Sequence, residues 1–80
     1  MVFWVYAIRN LKRDRVYIGQ TGNLERRIQE HNSGLVPSTE ADRPWELIAS
    51  EECETRAAAR WIERSLKRSR GQRVKWLAGG

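Results

Sequence analysis

Val2-Phe3-Trp4-Val5-Tyr6-Ala7-Ile8 is the stretch whose reading decides the fold. It is an unbroken apolar run rich in β-branched and aromatic residues, which suits a short strand covered on both faces. Such a strand belongs in the middle of a small sheet. The polar, turn-prone Arg9-Asn10-Leu11-Lys12-Arg13-Asp14 follows, and Arg15 to Gln20 returns as a second strand, so the two form a hairpin. A symmetric turn over Arg9 to Asp14 pairs Tyr6 with Tyr17 and projects both phenols from one face of the sheet.

Outward from the hairpin, Thr21-Gly22-Asn23 stops the strand and offers Asn23 as a helix N-cap. The helix runs from Leu24 to about Ser33, where Gly34 supplies a left-handed stop. At about 100° per residue, Leu24, Arg27, Ile28 and His31 share one arc, so Arg27 and His31 border the stripe that packs on the sheet. Leu35 to Arg43 reads as a loop, Pro44 to Ser50 as a third strand, and Glu51 to Glu54 as an acidic connection. Thr55 caps a long helix to about Arg70. Its apolar arc is Ala58, Ala59, Ile62 and Leu66, flanked by Trp61 and Glu63. Gly71 interrupts, and Gln72 to Leu77 forms a short terminal turn or helix bearing Trp76. The expected class is therefore α/β (α+β): a small three-stranded, mainly antiparallel sheet flanked by helices, in the order β-β-α-β-α with a short C-terminal helix or turn. Residues 1–80 read as a single domain, of a size that allows one modest core.

Charge narrows the function. The formal net charge is +5, and 12 of the 15 basic residues are arginine. This favours a polyanion partner, nucleic acid before membrane, since no amphipathic basic helix or lipidation signal dominates. Cys53 is the sole cysteine, which excludes an intrachain disulfide and any multi-cysteine zinc site. Glu52 and Glu54 beside it should raise its thiol pKa and keep it from serving as a catalytic thiolate. Met1 to Asn10 has no charged-then-apolar leader layout. No apolar run approaches the ~20 residues that span a bilayer. The expected location is cytoplasmic.

Several residues could carry chemistry, and each has an ordinary reading beside the functional one. Tyr6 and Tyr17 could be packing residues, Arg27 a solvated helix residue, His31 a complement to a helix dipole, and Glu63 an intrahelical ion-pair partner. Taken together, two phenols and a guanidinium beside a sheet make an oxyanion or phosphate site. Arg60, Arg64, Lys67, Arg68, Arg70, Arg73 and Lys75 form the expected nucleic-acid-backbone surface, although a solvated helix face has the same look. Trp76 could stack on a base, but core packing is the better reading.

The order and spacing resemble the GIY-YIG nuclease superfamily, including excision-repair nuclease N-terminal domains and small stand-alone members. Ten residues separate Tyr6 from Tyr17, which opens Tyr17-Ile18-Gly19; Arg27 and His31 follow ten and fourteen residues after Tyr17. Gly34, Thr39, Pro44 to Ile48, Thr55 to Ala58 and the helix Ala59 to Lys67 extend the resemblance to about residues 3–76. The resemblance implies a metal-dependent endonuclease cutting DNA phosphodiesters, with Glu63 the sole protein carboxylate on Mg²⁺ (or Mn²⁺). It implies that Arg27 holds the scissile phosphate and that Tyr6 and Tyr17 orient the attacking water, one of them a possible base. His31 is then a proton acceptor or positioner, and Gly19 keeps a side chain from crowding Trp4 or the site. DNA, branched or damaged forms included, is the implied partner, with a protein partner for targeting. The chain departs from the pattern at Trp4 and Val5, and no asparagine follows Glu63. The alternative is a catalytically weak or inactive nucleic-acid-binding module within a repair or mobile-element complex.

Overall fold

A computed structural model describes residues 2–10 and 12–79. Its elements are β1 (Phe3–Asn10), β2 (Val16–Thr21), α1 (Leu24–Ser33), a 3-10 turn (Glu40–Asp42), β3 (Trp45–Cys53), α2 (Arg56–Arg68) and α3 (Arg70–Leu77). The sheet is antiparallel throughout, in the order β2-β1-β3, so the apolar β1 is central as its composition requires.

Strand alternation sorts the core into two layers. Val5, Ala7, Ile18 and Cys53 face α2, where they pack on Ala59 and Leu66. Tyr6, Ile8 and Trp45 face the other way and pack with Tyr17 and with Leu24 and Ile28 of α1. The two long helices therefore lie on opposite faces of the sheet, and anything shared between them must meet at an edge.

The hairpin register differs from the symmetric-turn expectation. Tyr6 pairs with Gly19, and Tyr17 pairs with Ile8. The cause is local: β1 continues to Asn10, whose side-chain oxygen accepts from the backbone N–H groups of Lys12 (2.8 Å) and Arg13 (2.6 Å). Asn10 N–H also donates to Arg15 C=O at 2.7 Å, and Asp14 takes a left-handed φ of 55°. The turn is thus displaced along the chain, and the register moves by an even step. Because strand side chains alternate with a period of two, Tyr6 and Tyr17 stay on one face, now as diagonal neighbours.

Two element boundaries also depart from expectation. The third strand continues through Glu51 and Glu52 to Cys53, because these residues pair with Val5, Trp4 and Phe3 and point their carboxylates outward. A bulge between Ala7 and Ile8 shifts its register midway, leaving Ile48 unmatched. The break after α2 falls at Ser69 rather than Gly71. Ser69 takes an extended backbone, ends α2, and accepts from Gln72 N–H to start α3, so Gly71 lies inside a helix. Elsewhere the caps fall where the sequence places them: Asn23 accepts from Arg26 N–H, Gly34 closes α1 at φ 86°, and Thr55 accepts from Ala58 N–H. Among the described residues no helix is long and apolar enough to cross a membrane.

Candidate active site at the β2 edge

Tyr6 anchors the site from below. It lies on the central strand with 1% of its surface exposed, and its hydroxyl is 2.7 Å from Nε2 of His31. His31 is fully buried in the last turn of α1, and its Nδ1 is 2.8 Å from the hydroxyl of Thr39. The Thr39 hydroxyl in turn lies 3.4 Å from the carbonyl of Val36, a group that can only accept. We assign the tautomer in which Thr39 donates to Val36, His31 Nδ1–H donates to Thr39, and Tyr6 donates to the bare His31 Nε2. Arg27 beside the Tyr6 hydroxyl can only donate to it, which leaves the Tyr6 proton for His31.

Electrostatics agree with that arrangement. Burial, with a smaller contribution from Arg27, depresses the His31 pKa to about 4, so the ring is neutral near pH 7. Burial pushes Tyr6 up to about 12; Arg27 beside it opposes the rise, while Tyr17 and Glu63 add to it. Tyr6 is thus a firmly held phenol in the resting protein. His31 was expected at the border of the helix stripe but lies fully inside it. Only a phenol and a threonine hydroxyl satisfying both ring nitrogens permit that burial.

Thr39 is the residue whose role the sequence did not reveal. It is fully buried in a segment that reads as an ordinary polar loop, held from several sides. Trp45 Nε1–H donates to its carbonyl at 2.9 Å. Asn32 clasps the Trp45 backbone at both N–H (2.7 Å) and C=O (3.1 Å). Asp42, 7% exposed, takes Arg15 at 2.6 Å and so ties this segment to the hairpin. An Asn shortly after a helical His, followed by Thr and a strand-starting Trp, is the only sequence trace of this arrangement.

Tyr17 completes the aromatic cluster, its ring centre 6.4 Å from Tyr6 and 5.0 Å from His31. It is half-buried, so water reaches it where it does not reach Tyr6. Gly19 lies directly across from Tyr6, and a Cβ there would come 2.6 Å from the Tyr6 hydroxyl and 3.1 Å from the Tyr17 ring. The glycine is required by the phenols; Trp4, which pairs with Thr21, has no part in it.

Arg27 stands beside the Tyr6 hydroxyl, and that contact, more than any other, raises the guanidinium's pKa. Its direct partner is Glu30 at 3.0 Å, a carboxylate that Arg26 also reaches at 3.3 Å. Glu63 arrives from the other face of the sheet, on α2, and pairs with Lys67 at 2.8 Å. The Lys67 ammonium also lies 5.7 Å from the centre of the Tyr17 ring. These residues do not share one pocket. Three hollows border β2: one with Gln20, Arg26, Arg27 and Arg56, a second with Gln20, Arg60, Glu63 and Arg64, a third with Tyr17, Arg70 and Arg73. Gln20 lines the first two, and Lys67 lines the second and third. The residues therefore border a groove wrapped around a sheet edge rather than one concave surface, because the helices occupy opposite faces.

The basic stretch divides the same way. Arg60, Arg64 and Lys67 border the Glu63 hollow, and Arg70 and Arg73 border the Tyr17 hollow, although Arg73 also donates to the Leu66 carbonyl at 3.3 Å. Arg68 and Lys75 are exposed but line neither. Arg56 is an addition: it joins the Arg27 hollow and lies 4.8 Å over the Phe3 ring. An arginine in the first turn of a helix sits at the wrong end of the dipole, and that was the available signal. Trp76 packs against the core and donates to Glu51 at 2.8 Å, while Trp61 is 70% exposed. Burial, with Glu51 and Glu52 rather than the expected Glu54, raises the Cys53 thiol pKa and disfavours the thiolate.

Glu63 suits a hard divalent cation in one respect: its carboxylate borders an open polar hollow, where water and phosphate oxygens can supply the remaining ligands. Among the described residues no group of three or more His, Cys, Asp or Glu side chains gathers to hold a metal ion. Any such ion would thus depend on substrate for much of its coordination.

Comparison with known proteins agrees with this architecture. Residues 2–75 match the family described as the GIY-YIG catalytic domain. Human structure-specific endonuclease subunit SLX1 is 37% identical over 51 residues, which cover 59% of this chain and 18% of that protein. The solution NMR structure of UPF0213 protein BH0048 from Bacillus halodurans superposes with a TM-score of 0.60 at 28% identity. That match covers 98% of this chain and 84% of the other. With the phenols, guanidinium and carboxylate converging on the β2 edge, and nearly every residue matched, the chain belongs to the GIY-YIG catalytic domain family.

Proposed function

We propose that residues 1–80 act as one endonuclease domain that hydrolyses DNA phosphodiester bonds with a single divalent cation, Mg²⁺ or Mn²⁺. The observation that carries this reading is the approach of Glu63, from α2 on one sheet face, to the edge where Tyr17, Tyr6 and Arg27 meet on the other. A bound cation supplies charge neutralisation at the phosphate. Glu63 holds it. Arg27 exchanges Glu30 for a phosphate oxygen and stabilises the charge that develops there. His31 and Thr39 fix the Tyr6 phenol, whose proton already points at His31. The Tyr6 oxygen keeps its lone pairs for the Arg27 guanidinium beside it. Tyr6, with a pKa near 12, is a poor resting base. Tyr17 is the phenol that reaches solvent and orients the attacking water. Arg60, Arg64 and Lys67 hold the backbone at the Glu63 hollow, and Arg56 holds it at the Arg27 hollow.

A second reading is favoured by one feature, the lack of an asparagine after Glu63: a catalytically weak module that binds nucleic acid and relies on a partner protein for targeting. Incubation of the chain with duplex and branched DNA, in Mg²⁺ and then in EDTA, separates the two. Cleavage in Mg²⁺ that is lost in EDTA and in Glu63→Gln supports the nuclease. Salt-sensitive binding without cleavage in any condition overturns it in favour of the second reading.

A further inference from the structure

Lys67 occupies a position that backbone binding alone does not explain. Its ammonium is 2.8 Å from Glu63 Oε2 and 5.7 Å from the centre of the Tyr17 ring. It thus sits between the single candidate metal carboxylate and the water-accessible phenol. Glu63 is only 22% exposed along its side chain, whereas Lys67 is 50% exposed and free to swing on a four-carbon stem. The pair has the favourable helical order, glutamate four residues before lysine. Lys67 also lines both the Glu63 hollow and the hollow with Tyr17, Arg70 and Arg73, so arginines flank it on both sides.

We propose that Lys67 is a positioning residue that couples substrate to metal: it neutralises Glu63 while the groove is empty and leaves it for a DNA phosphate when the groove fills. This rests on the nuclease reading of Glu63. A divalent cation and the ammonium cannot both sit within bonding distance of one carboxylate edge, because their repulsion opposes it. In free protein the cation must therefore displace Lys67. With DNA bound, a phosphate attracts Lys67 away and the carboxylate is released. The two ligands reinforce one another, and by linkage each strengthens the other by the same factor. An exposed ion pair with a weak cation–π contact supports a factor of about twofold to fivefold, not more.

The test is Mn²⁺ binding to the free chain, read by the electron-spin-resonance signal of unbound Mn²⁺ at low ionic strength. Lys67→Met keeps the stem and removes the charge. Arg64→Met removes an equal charge from the same helix and the same hollow, but one not paired with Glu63. Lys67→Met should bind Mn²⁺ about twofold to fivefold more tightly than wild type, and clearly more tightly than Arg64→Met. In anisotropy titrations of a short duplex, the gain in affinity from replacing EDTA with Ca²⁺ should shrink in Lys67→Met by that same factor. Equal Mn²⁺ affinity in wild type and Lys67→Met, or equal shifts in the two variants, overturns the coupling while leaving the site intact. If Glu63→Gln binds Mn²⁺ as well as wild type does, the metal reading of Glu63 falls and the role of Lys67 falls with it.

Discussion

Acid should weaken this protein through His31. In the fold the ring is fully buried, accepts from Tyr6 and titrates at about 4, against 6.5 for an ordinary histidine. A folded pKa below the unfolded one means that the unfolded chain binds the extra proton. His31 therefore contributes stability that is fully present above the unfolded pKa and is lost as pH falls toward the folded pKa. Between about pH 7.5 and pH 4.5 this linkage removes about 2.5 kcal/mol. The ring is sealed by only a thin layer in so small a molecule, so screening lowers that figure toward about 1.5 kcal/mol. Against the ~4–12 kcal/mol total expected at this size, the loss is large. The assay is urea unfolding followed by tryptophan fluorescence at a series of pH values, comparing wild type with His31→Gln. Wild type should start more stable, and the gap should narrow by about 1.5–2.5 kcal/mol as pH falls. A His31 ring proton that titrates above pH 6 in NMR spectra of the folded chain refutes the reasoning. So does a gap that does not change with pH.

Other outcomes follow from the same geometry. Gly19→Ala should cost about 1–3 kcal/mol and dislodge the Tyr6 ring, read as loss of both stability and cleavage. Thr39→Val leaves His31 Nδ1–H without an acceptor and should cost about 1–3 kcal/mol, while Thr39→Ser should restore most of it. Arg27→Ala should abolish cleavage and weaken duplex binding, whereas Glu63→Gln should abolish cleavage with binding unchanged or tighter, as filter binding can show. Arg64→Glu with Arg68→Glu should weaken binding and flatten its dependence on salt, measured as the slope of log affinity against log salt.

Much of the architecture was legible because local signals agreed. The apolar β1 run, the Asn23 and Thr55 caps and the Gly34 stop each mark an element by its own chemistry, and each holds in the structure. What was not legible depended on distance or on small geometric choices. The hairpin register turned on whether Asn10 ended a strand or capped a turn, and its side chain does both. The continuation of β3 through Glu51 and Glu52 was hidden because exposed edge positions tolerate charge, so composition there resembles a loop. Thr39 was recognisable as part of a segment, but its partnership with His31 is a tertiary fact with no periodic signature. The helical arcs suggested that Arg27 and Glu63 could approach the sheet. They carried no information about which face each helix would take.

The chain of hydroxyl, imidazole and hydroxyl behind Tyr6 has a terminus that limits what it can do. It stops at the Val36 carbonyl, with His31 and Thr39 fully enclosed along the way. A proton arriving at His31 finds no onward path to bulk water on the far side, because a backbone carbonyl cannot pass one along. The corridor has a single door, and Tyr6 is that door. On the proposed nuclease reading, any charge it admits must leave the way it came, which ties the resetting of this corridor to the departure of product.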